Sequence, residues 1–258
     1  MQALLVVFAL WWMFPLITVI RQSLQVGGFG NYATVLTHSL NGVHLPKTFL
    51  NSFVIAIMHA AFVCIAGSLA GYAFSRLRFT GRNLLYYLVL VFLAVPATAI
   101  IVPVYFITGK LGLFDSYLGV ALPEAALTLP FAVLLVRNYA DGIPESLFEA
   151  AAIDGAGHLR TYRSVFLPLA RPTMINLATL AMMWSFQDFI FPSLIMKSPG
   201  LTTAAQAVQT IRGAFAPTPQ QTAQFFAALV LLAVPAVVLI VIGLRWMTTG
   251  LTAGGSKE

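Results

Sequence analysis

EAAAIDGAGHLRTYRSVFLPLARP, residues 149–172, is the most polar stretch in a chain that is otherwise close to oil. It carries Glu149, Asp154, His158, Arg160, Arg163 and Arg171, with long apolar segments on either side. Within it a run of small residues leads into Gly155-Ala156-Gly157, the pattern of a short helix followed by a turn. A hydrophilic loop of this length, kept in so apolar a setting, is built to be gripped by something outside the apolar phase.

The remainder of the chain says what that phase is. Hydrophobic residues make up 59% of the 258 and charged residues 9%, and the mean hydropathy is +0.89. A soluble domain carries roughly a quarter charged residues, so this chain cannot cover itself with a polar surface, and its solvent is a lipid bilayer. The one cysteine, Cys64, stands in an apolar run, which leaves no disulfide framework and no thiol metal site. The net charge of +6 is dispersed at the ends of apolar segments. That is how membrane topology is written, and no nucleic-acid partner is expected.

A spanning helix needs about 20 mostly apolar residues. Six stretches qualify: 3–20, 48–75, 83–109, 116–136, 172–196 and 223–244. The expected fold is an all-α integral membrane protein with six transmembrane helices, forming a single domain over 1–258. The first stretch lacks the charged leading region and small-residue cleavage site of a signal peptide, and is read as a span. With six spans both termini share a side. If that side is the cytoplasm, nine basic residues lie inside (Arg76, Arg78, Arg82, Arg137, Arg160, Arg163, Arg171, Arg245, Lys257) and five outside. The positive-inside rule favours that orientation, which makes the 149–172 loop cytoplasmic. Tyr86, Tyr87 and Trp246 then fall at the inner interface as belt aromatics.

The loop can be read in more detail. Ile143-Pro144-Glu145-Ser146 is a helix start, with Pro near the first turn and acids at the positive end of the dipole. Leu147, Phe148, Ala151 and Ala152 form an apolar, small-residue stripe. The helix should end at Gly155 or Gly157, where a left-handed residue costs least. A second helical piece over 158–165 precedes Pro168 and Pro172, which lead into the fifth span. A loop lying on the headgroups, its arginines paired with phosphates, is the alternative. The Ala-rich face favours close contact with protein.

Glu149-Ala150-Ala151, then Asp154-Gly155, then Phe166-Leu167-Pro168 resembles the EAA motif of bacterial ABC-importer permeases. Asn51-Ser52-Phe53, Gly71-Tyr72-Ala73-Phe74-Ser75-Arg76, Ile143-Pro144-Glu145 and the tail Gly250-Leu251-Thr252-Ala253-Gly254-Gly255-Ser256-Lys257 narrow it to the smaller permease of the carbohydrate, maltose-type branch. The resemblance runs over nearly the whole chain. It implies the type I ABC-importer permease fold in a bacterial plasma (inner) membrane, with a cytoplasmic coupling loop over about 138–172 and a cytoplasmic tail over about 247–258. It also implies that Glu149, Ala150, Ala151, Asp154, Gly155, Gly157, Leu167 and Pro168 couple the chain to an ATPase. The implied partners are a second permease in a heterodimer, two ATP-binding cassette subunits, an extracytoplasmic solute-binding protein and membrane lipid. This chain would hold no cofactor, since ATP and Mg are bound by the partner subunits. The implied solute is a sugar, or a related polyol or glycerol-phosphate compound. Two departures stand out. Members of that family begin with a short basic segment, whereas Met1 here almost opens the first span. Where they often show Trp-Asn and then an acid, this chain has Phe186-Gln187-Asp188, with Trp184 two residues before Phe186.

The residues agree with a subunit that performs no chemistry of its own. No Gly-x-x-x-x-Gly-Lys-Ser/Thr loop occurs to cradle phosphates, no Ser/His/Asp set lies outside the membrane, and no His/Glu cluster has metal spacing. Energy must come from a partner, and the polar loop is the surface equipped to receive it. A secondary transporter driven by an ion gradient is the alternative. It would need paired acids deep in the bundle, and Glu124 and Asp188 are the two available; each stands near the outer side of its span, where it either snorkels to the interface or faces protein or water. Asn176, Thr179, Met183 and Gln187 recur at spacings of three and four, which puts them on one face of the fifth span. That face suits either a path for a hydroxyl-rich solute or a contact with the second permease. Gly67-x-x-x-Gly71 is spaced for a close helix contact. Pro96, Pro103, Pro123, Pro130, Pro192 and Pro235 mark spans that can bend. His59 is read as a satisfied core histidine without a role.

Overall fold

Gly67 and Gly71 decide where two long helices meet. In the computed structural model, which describes residues 2–213 and 217–254, a Cβ added at Gly67 would lie 2.6 Å from Ala132 Cβ, and one at Gly71 would lie 2.7 Å from Val136 Cβ. The helices in question are the third and sixth of a helical series. In chain order these are α1 (Gln2–Ser23), α2 (Gly30–Thr37), α3 (Leu45–Arg76), α4 (Arg82–Val91), α5 (Ile101–Lys110) and α6 (Tyr117–Asp141), then α7 (Glu145–Ile153), α8 (His158–Thr161), α9 (Leu167–Leu169) and α10 (Arg171–Gln187), and last α11 (Ile190–Ile195), α12 (Ala204–Arg212) and α13 (Pro219–Gly254). Among the described residues there is no strand, only a bridge between Leu40 and Val43. The Gly-x-x-x-Gly pair is thus a true seam, in which missing side chains let the α3 and α6 backbones approach.

α3 packs along α6 on one side and α10 on the other, while α13 lies against α1, α10 and α12. The buried seam between α3, α6 and α10 is built of Ala60, Val63, Ala125, Ala132, Val136, Leu177 and Ala181. Small residues dominate because lipid offers no hydrophobic drive for helix association, so close van der Waals packing must supply it. The outer surface carries the large apolar side chains, among them Trp11, Trp12, Ile57, Ile65 and Val237, all exposed. That inversion of a soluble protein is what a lipid-facing bundle requires.

Of the expected spans, α3, α6 and α13 are each long and apolar enough to cross a bilayer unbroken. α1, at 22 residues, is roughly 33 Å long at the rise of an α-helix. The 83–109 stretch is not one helix. α4 runs into short 3-10 turns either side of Val95-Pro96, and the two halves are bent by 98°. Proline lacks the N–H that would continue the ladder and forces the preceding residue out of the helical region, and Val95 has ψ 116. Pro103 and Pro192 fall in the first turns of α5 and α11, where a missing N–H is no loss. α6 runs on through Pro123 and Pro130, and α13 through Pro235.

The 172–196 stretch is also divided. α10 stops at Gln187, and Asp188 turns extended with ψ 131. Its carboxylate accepts from the N–H groups of Ile190 (3.0 Å) and Phe191 (3.2 Å), capping α11. Asp188 is therefore a helix cap, and not a side chain reaching for the interface. Tyr86 is likewise no belt aromatic: it is buried beside Phe74 (5.6 Å between centroids), with the Arg137 guanidinium 3.6 Å over its ring. Tyr87 is exposed as expected. The Trp246 side chain and residues 255–258 of the glycine-rich tail lie outside the described residues.

The Asn51-Ser52 pair acts as a clamp on the segment before α12. Asn51 Nδ2 donates to the carbonyls of Gly200 (3.0 Å) and Thr202 (2.8 Å) and its Oδ1 accepts from Tyr117 OH (2.9 Å), while Ser52 Oγ accepts from Ala204 N (2.9 Å). This fixes the end of the bundle remote from α7.

Candidate functional site

The polar loop folds as a helical hairpin that stands off one end of the bundle. Pro144, extended with ψ 132, precedes α7. α7 then closes at Asp154 by paired bonds: Ala156 N donates to Ala151 O (2.9 Å) and Gly155 N to Ala152 O (3.0 Å). Gly155 sits at φ +73 with open space around it. This is the left-handed cap that the sequence places at Gly155 or Gly157, and the structure selects Gly155. α8 follows and passes into a widened turn, Tyr162–Phe166, before α9 and α10. Pro168, two residues beyond that turn, has no N–H to return to the Ser164 carbonyl.

The hairpin's base is bolted to α3. Tyr72 is buried with its ring 5.2 Å from Tyr162, 5.1 Å from Phe166 and 6.5 Å from Phe148. Ser68 Oγ and Tyr162 OH share a buried hydrogen bond of 2.7 Å. Arg76, at the last turn of α3, donates from Nη1 to Glu145 Oε2 (2.5 Å) and from Nη2 to the carbonyls of Ala140 and Ile143, the latter at 2.7 Å. Its guanidinium lies 4.1 Å from the Phe148 ring centroid. Farther along, Tyr139 OH donates to Leu169 O at 2.5 Å. These contacts tie both ends of the hairpin to α3 and α6.

The expected coupling residues divide into two sets. Glu149, Ala150, Asp154, Gly155, Gly157 and Pro168 are exposed and make an outward face together with Leu159 and Ile153. Ala151 is buried and Leu167 is half-buried, so these two seat the hairpin on its base. Sequence reasoning missed the anchors Ser68, Tyr72, Arg76, Tyr162 and Phe166. Tyr72 and Arg76 are four apart at the end of an apolar span, which is a legible signal of a shared face, but nothing local names their partners.

A second polar region lies toward the other end of α6. A cavity of about 320 Å³ is lined by His59, Glu124, Thr128, Trp184, Ser185 and Gln187, among others. Glu124 does not snorkel. Packing of α3 and α10 over α6 leaves it 6% exposed, and neither carboxyl oxygen has a hydrogen-bond partner among the described residues. His59 Nδ1 stands 3.9 Å from Glu124 Oε2 but donates to Ala181 O at 2.9 Å, and Nε2 meets Thr128 Oγ1 at 2.8 Å. His59 is thus a bonded core histidine, as expected.

Of the four residues on the fifth-span stripe, Gln187 is exposed and lines this cavity. Met183 is half-buried. Asn176 is half-buried, with Oδ1 enclosed and unpartnered among the described residues. Thr179 donates to Ile175 O (2.8 Å) and abuts α13, where a Cβ built on Gly243 would come within 3.1 Å of its Cγ2. The stripe therefore faces more than one neighbour.

Residues 63–251 match the family described as binding-protein-dependent transport system inner membrane component. The maltodextrin transport system permease protein MdxG of Bacillus subtilis is 31% identical over 255 residues, covering 95% of this chain and 90% of that protein. The trehalose/maltose transport system permease protein MalG of Thermococcus litoralis is 30% identical over 227 residues, covering 88% and 80%. The osmoprotective compounds uptake permease protein GgtD of Synechocystis is 36% identical over 182 residues, which is 70% of this chain but 58% of GgtD, so the match spans little more than half of that relative. A chain from a bacterial ABC transporter involved in the import of the acidic polysaccharide alginate superposes with a TM-score of 0.81 at 20% identity, covering 95% of this chain and 94% of that one. That likeness is one of fold. With its family match extending over most of its length, the chain belongs to the inner membrane components of binding-protein-dependent transport systems.

Proposed function

We propose that this chain is one permease half of an ATP-driven importer for a sugar, and that the α7–α8 hairpin receives the power stroke. The carrying observation is mechanical. An outward face of Glu149, Ala150, Asp154 and Gly155 sits on a hairpin whose base is locked to α3 by Tyr72 and Arg76. Small exposed side chains let a partner surface come close, and a rigid base turns that contact into movement of α6 and α10. In this reading two ATP-binding subunits hold the ATP and Mg and close on the hairpin, Ala151 and Leu167 seat it, and Gly157 and Pro168 shape its return. The hairpin and both termini are cytoplasmic, the tail Gly250–Glu258 lies near the ATPases, and residues 1–258 act as one permease domain. A second permease completes the path, and an extracytoplasmic binding protein delivers the solute. The sugar assignment is supported by relatives whose names specify maltodextrin and trehalose/maltose. An ion-gradient mechanism has no support in the family.

Along the path, Asn176 and Gln187 are the members of the fifth-span stripe that need a polar partner, Met183 lines it, and Thr179 holds α10 to α13. The test is a cysteine at Glu149 in a Cys64→Ala background, paired with single cysteines on the ATPase subunit. Crosslinking that blocks uptake is expected. No crosslink at any of a panel of ATPase positions, in a complex that assembles and transports, would remove the hairpin from the coupling pathway.

A further inference from the structure

The cavity beside Glu124 is built for a ligand more than for stability. Glu124 and Ser185 are each 6% exposed, both line it, and Glu124 Oε1 and Oε2 and Ser185 Oγ have no hydrogen-bond partner among the described residues. Buried polar atoms left unpaired cost a fold stability, and native interiors hold few of them. Two such side chains facing one cavity, on helices whose seam is otherwise mostly apolar, mark a place where the partner arrives from outside. Trp184 adds a broad apolar ring at the rim, and Gln187 adds an exposed amide that both donates and accepts. A volume of about 320 Å³ falls at the small end of ligand sites.

The chemistry of the lining selects the ligand. It contains two carboxyl groups, Glu124 and Asp188, and neither Lys nor Arg. An anion would find no fixed positive charge in this lining and would face the Asp188 carboxylate. A sugar presents hydroxyl donors to carboxyl and serine oxygens and a C–H face to an indole. We propose that Glu124 and Ser185, with Trp184 and Gln187 at the rim, form a solute contact site within this chain that takes the hydroxyl groups of an uncharged sugar and disfavours phosphate esters. The site rests on the import function proposed above and narrows its solute class. It also lies apart from the hairpin, so the two can fail separately.

The experiment uses the complete transporter, with its second permease, ATPase subunits and binding protein, in proteoliposomes. Radiolabelled maltose, trehalose and glycerol 3-phosphate are the probes, and the readout is solute moved per ATP hydrolysed. Glu124→Gln and Ser185→Ala should each keep binding-protein-stimulated ATP hydrolysis near the wild-type rate while sugar moved per ATP falls about tenfold, the scale of one hydrogen bond to a charged or strongly polar group. Glu124→Leu should leave the complex's melting temperature unchanged or higher, since it removes an unpaired buried carboxyl. An unchanged sugar-to-ATP ratio in both polar variants overturns the site. So does a Glu124→Leu complex that melts well below wild type, which would make Glu124 a packing residue. Wild-type uptake of glycerol 3-phosphate but of neither sugar overturns the solute class. Gly155→Pro, run alongside, should lose ATP coupling at the hairpin. Its normal transport would refute the coupling reading and leave the Glu124 result standing.

Discussion

Arg76→Ala should unlock the hairpin without dismantling the bundle. Arg76 is 11% exposed and holds the α6–α7 joint from three directions, through the carbonyls of Ala140 and Ile143, through Glu145 and over the Phe148 ring. Hydrogen bonds from a charged donor contribute about 1.5–3 kcal/mol each; Ala140 stands in the last turn of α6, where its carbonyl also accepts from Ile143 N (3.1 Å), and Ile143 lies just beyond the helix end. Glu145 is 69% exposed, so its ion pair is screened and contributes at most about 1 kcal/mol. The cation–π contact adds about 0.5–1 kcal/mol. Water can enter to satisfy the carbonyls after truncation, which reduces the sum. The expected cost is about 3 kcal/mol of hairpin docking, a shift of roughly 100-fold in its undocked population. In proteoliposomes, Arg76→Ala should co-purify normally with its partners, lose most uptake, and be cut faster by trypsin at the exposed Arg160 and Arg163. Arg76→Lys keeps the charge but not the planar fork, and should fall between. Wild-type uptake and wild-type proteolysis in Arg76→Ala would refute the rigid lever.

Three further expectations follow from single sites. Gly155→Ala places a Cβ at φ +73 in open space, costing about 1 kcal/mol and slowing uptake modestly, whereas Gly155→Pro cannot adopt that φ and should abolish uptake with the subunit still in the membrane; normal uptake by the proline variant argues against the turn's role. Gly71→Val drives side-chain atoms into Val136 and the Arg137 amide across the α3–α6 seam, costing about 1–3 kcal/mol or more, so thermal unfolding of the purified complex should fall by several degrees, and an unchanged melting temperature would mean that the seam yields. Asp115 accepts from the N–H groups of Lys197 (2.5 Å) and Ser198 (2.9 Å), and these bonds hold its carboxyl below the usual aspartate range. A depressed folded value gives stability that is present above the unfolded value, about pH 4, and is lost as pH falls through the lower folded value. Protection of the Lys197 and Ser198 amides, taken against the free-peptide exchange rate at the same pH, should therefore fall under strong acid in the wild type and be low at every pH in Asp115→Ala; equal protection in the two at neutral pH would count against the bond.

The membrane class, the hairpin and its glycine cap were legible in the chain itself, because each is written in local chemistry. A bilayer sorts residues by hydropathy along one dimension, so uncharged runs such as 48–75 and 223–244 could be read without knowing their neighbours. Pro144 and Gly155 impose their backbone angles wherever they stand. The breaks were only half legible: Pro96 and Pro130 are the same residue in equally apolar runs, yet the chain bends 98° at the first and passes straight through the second. α6 lies packed along α3, whereas the short turns on either side of Pro96 bury no residue. Asp188 and Glu124 look alike in sequence, one acid in each of two spans, and the fold makes the first a cap and the second a buried, unpaired carboxyl. The anchors join residues far apart in the chain: Ser68 and Tyr162 by 94 positions, Arg76 and Glu145 by 69, His59 and Ala181 by 122. Hydropathy tells each of these residues which phase it must occupy. Only the three-dimensional packing of α3, α6 and α10 tells it which partner it meets there, because side chains pair across the few ångströms between helices, a distance that spacing along the chain does not encode.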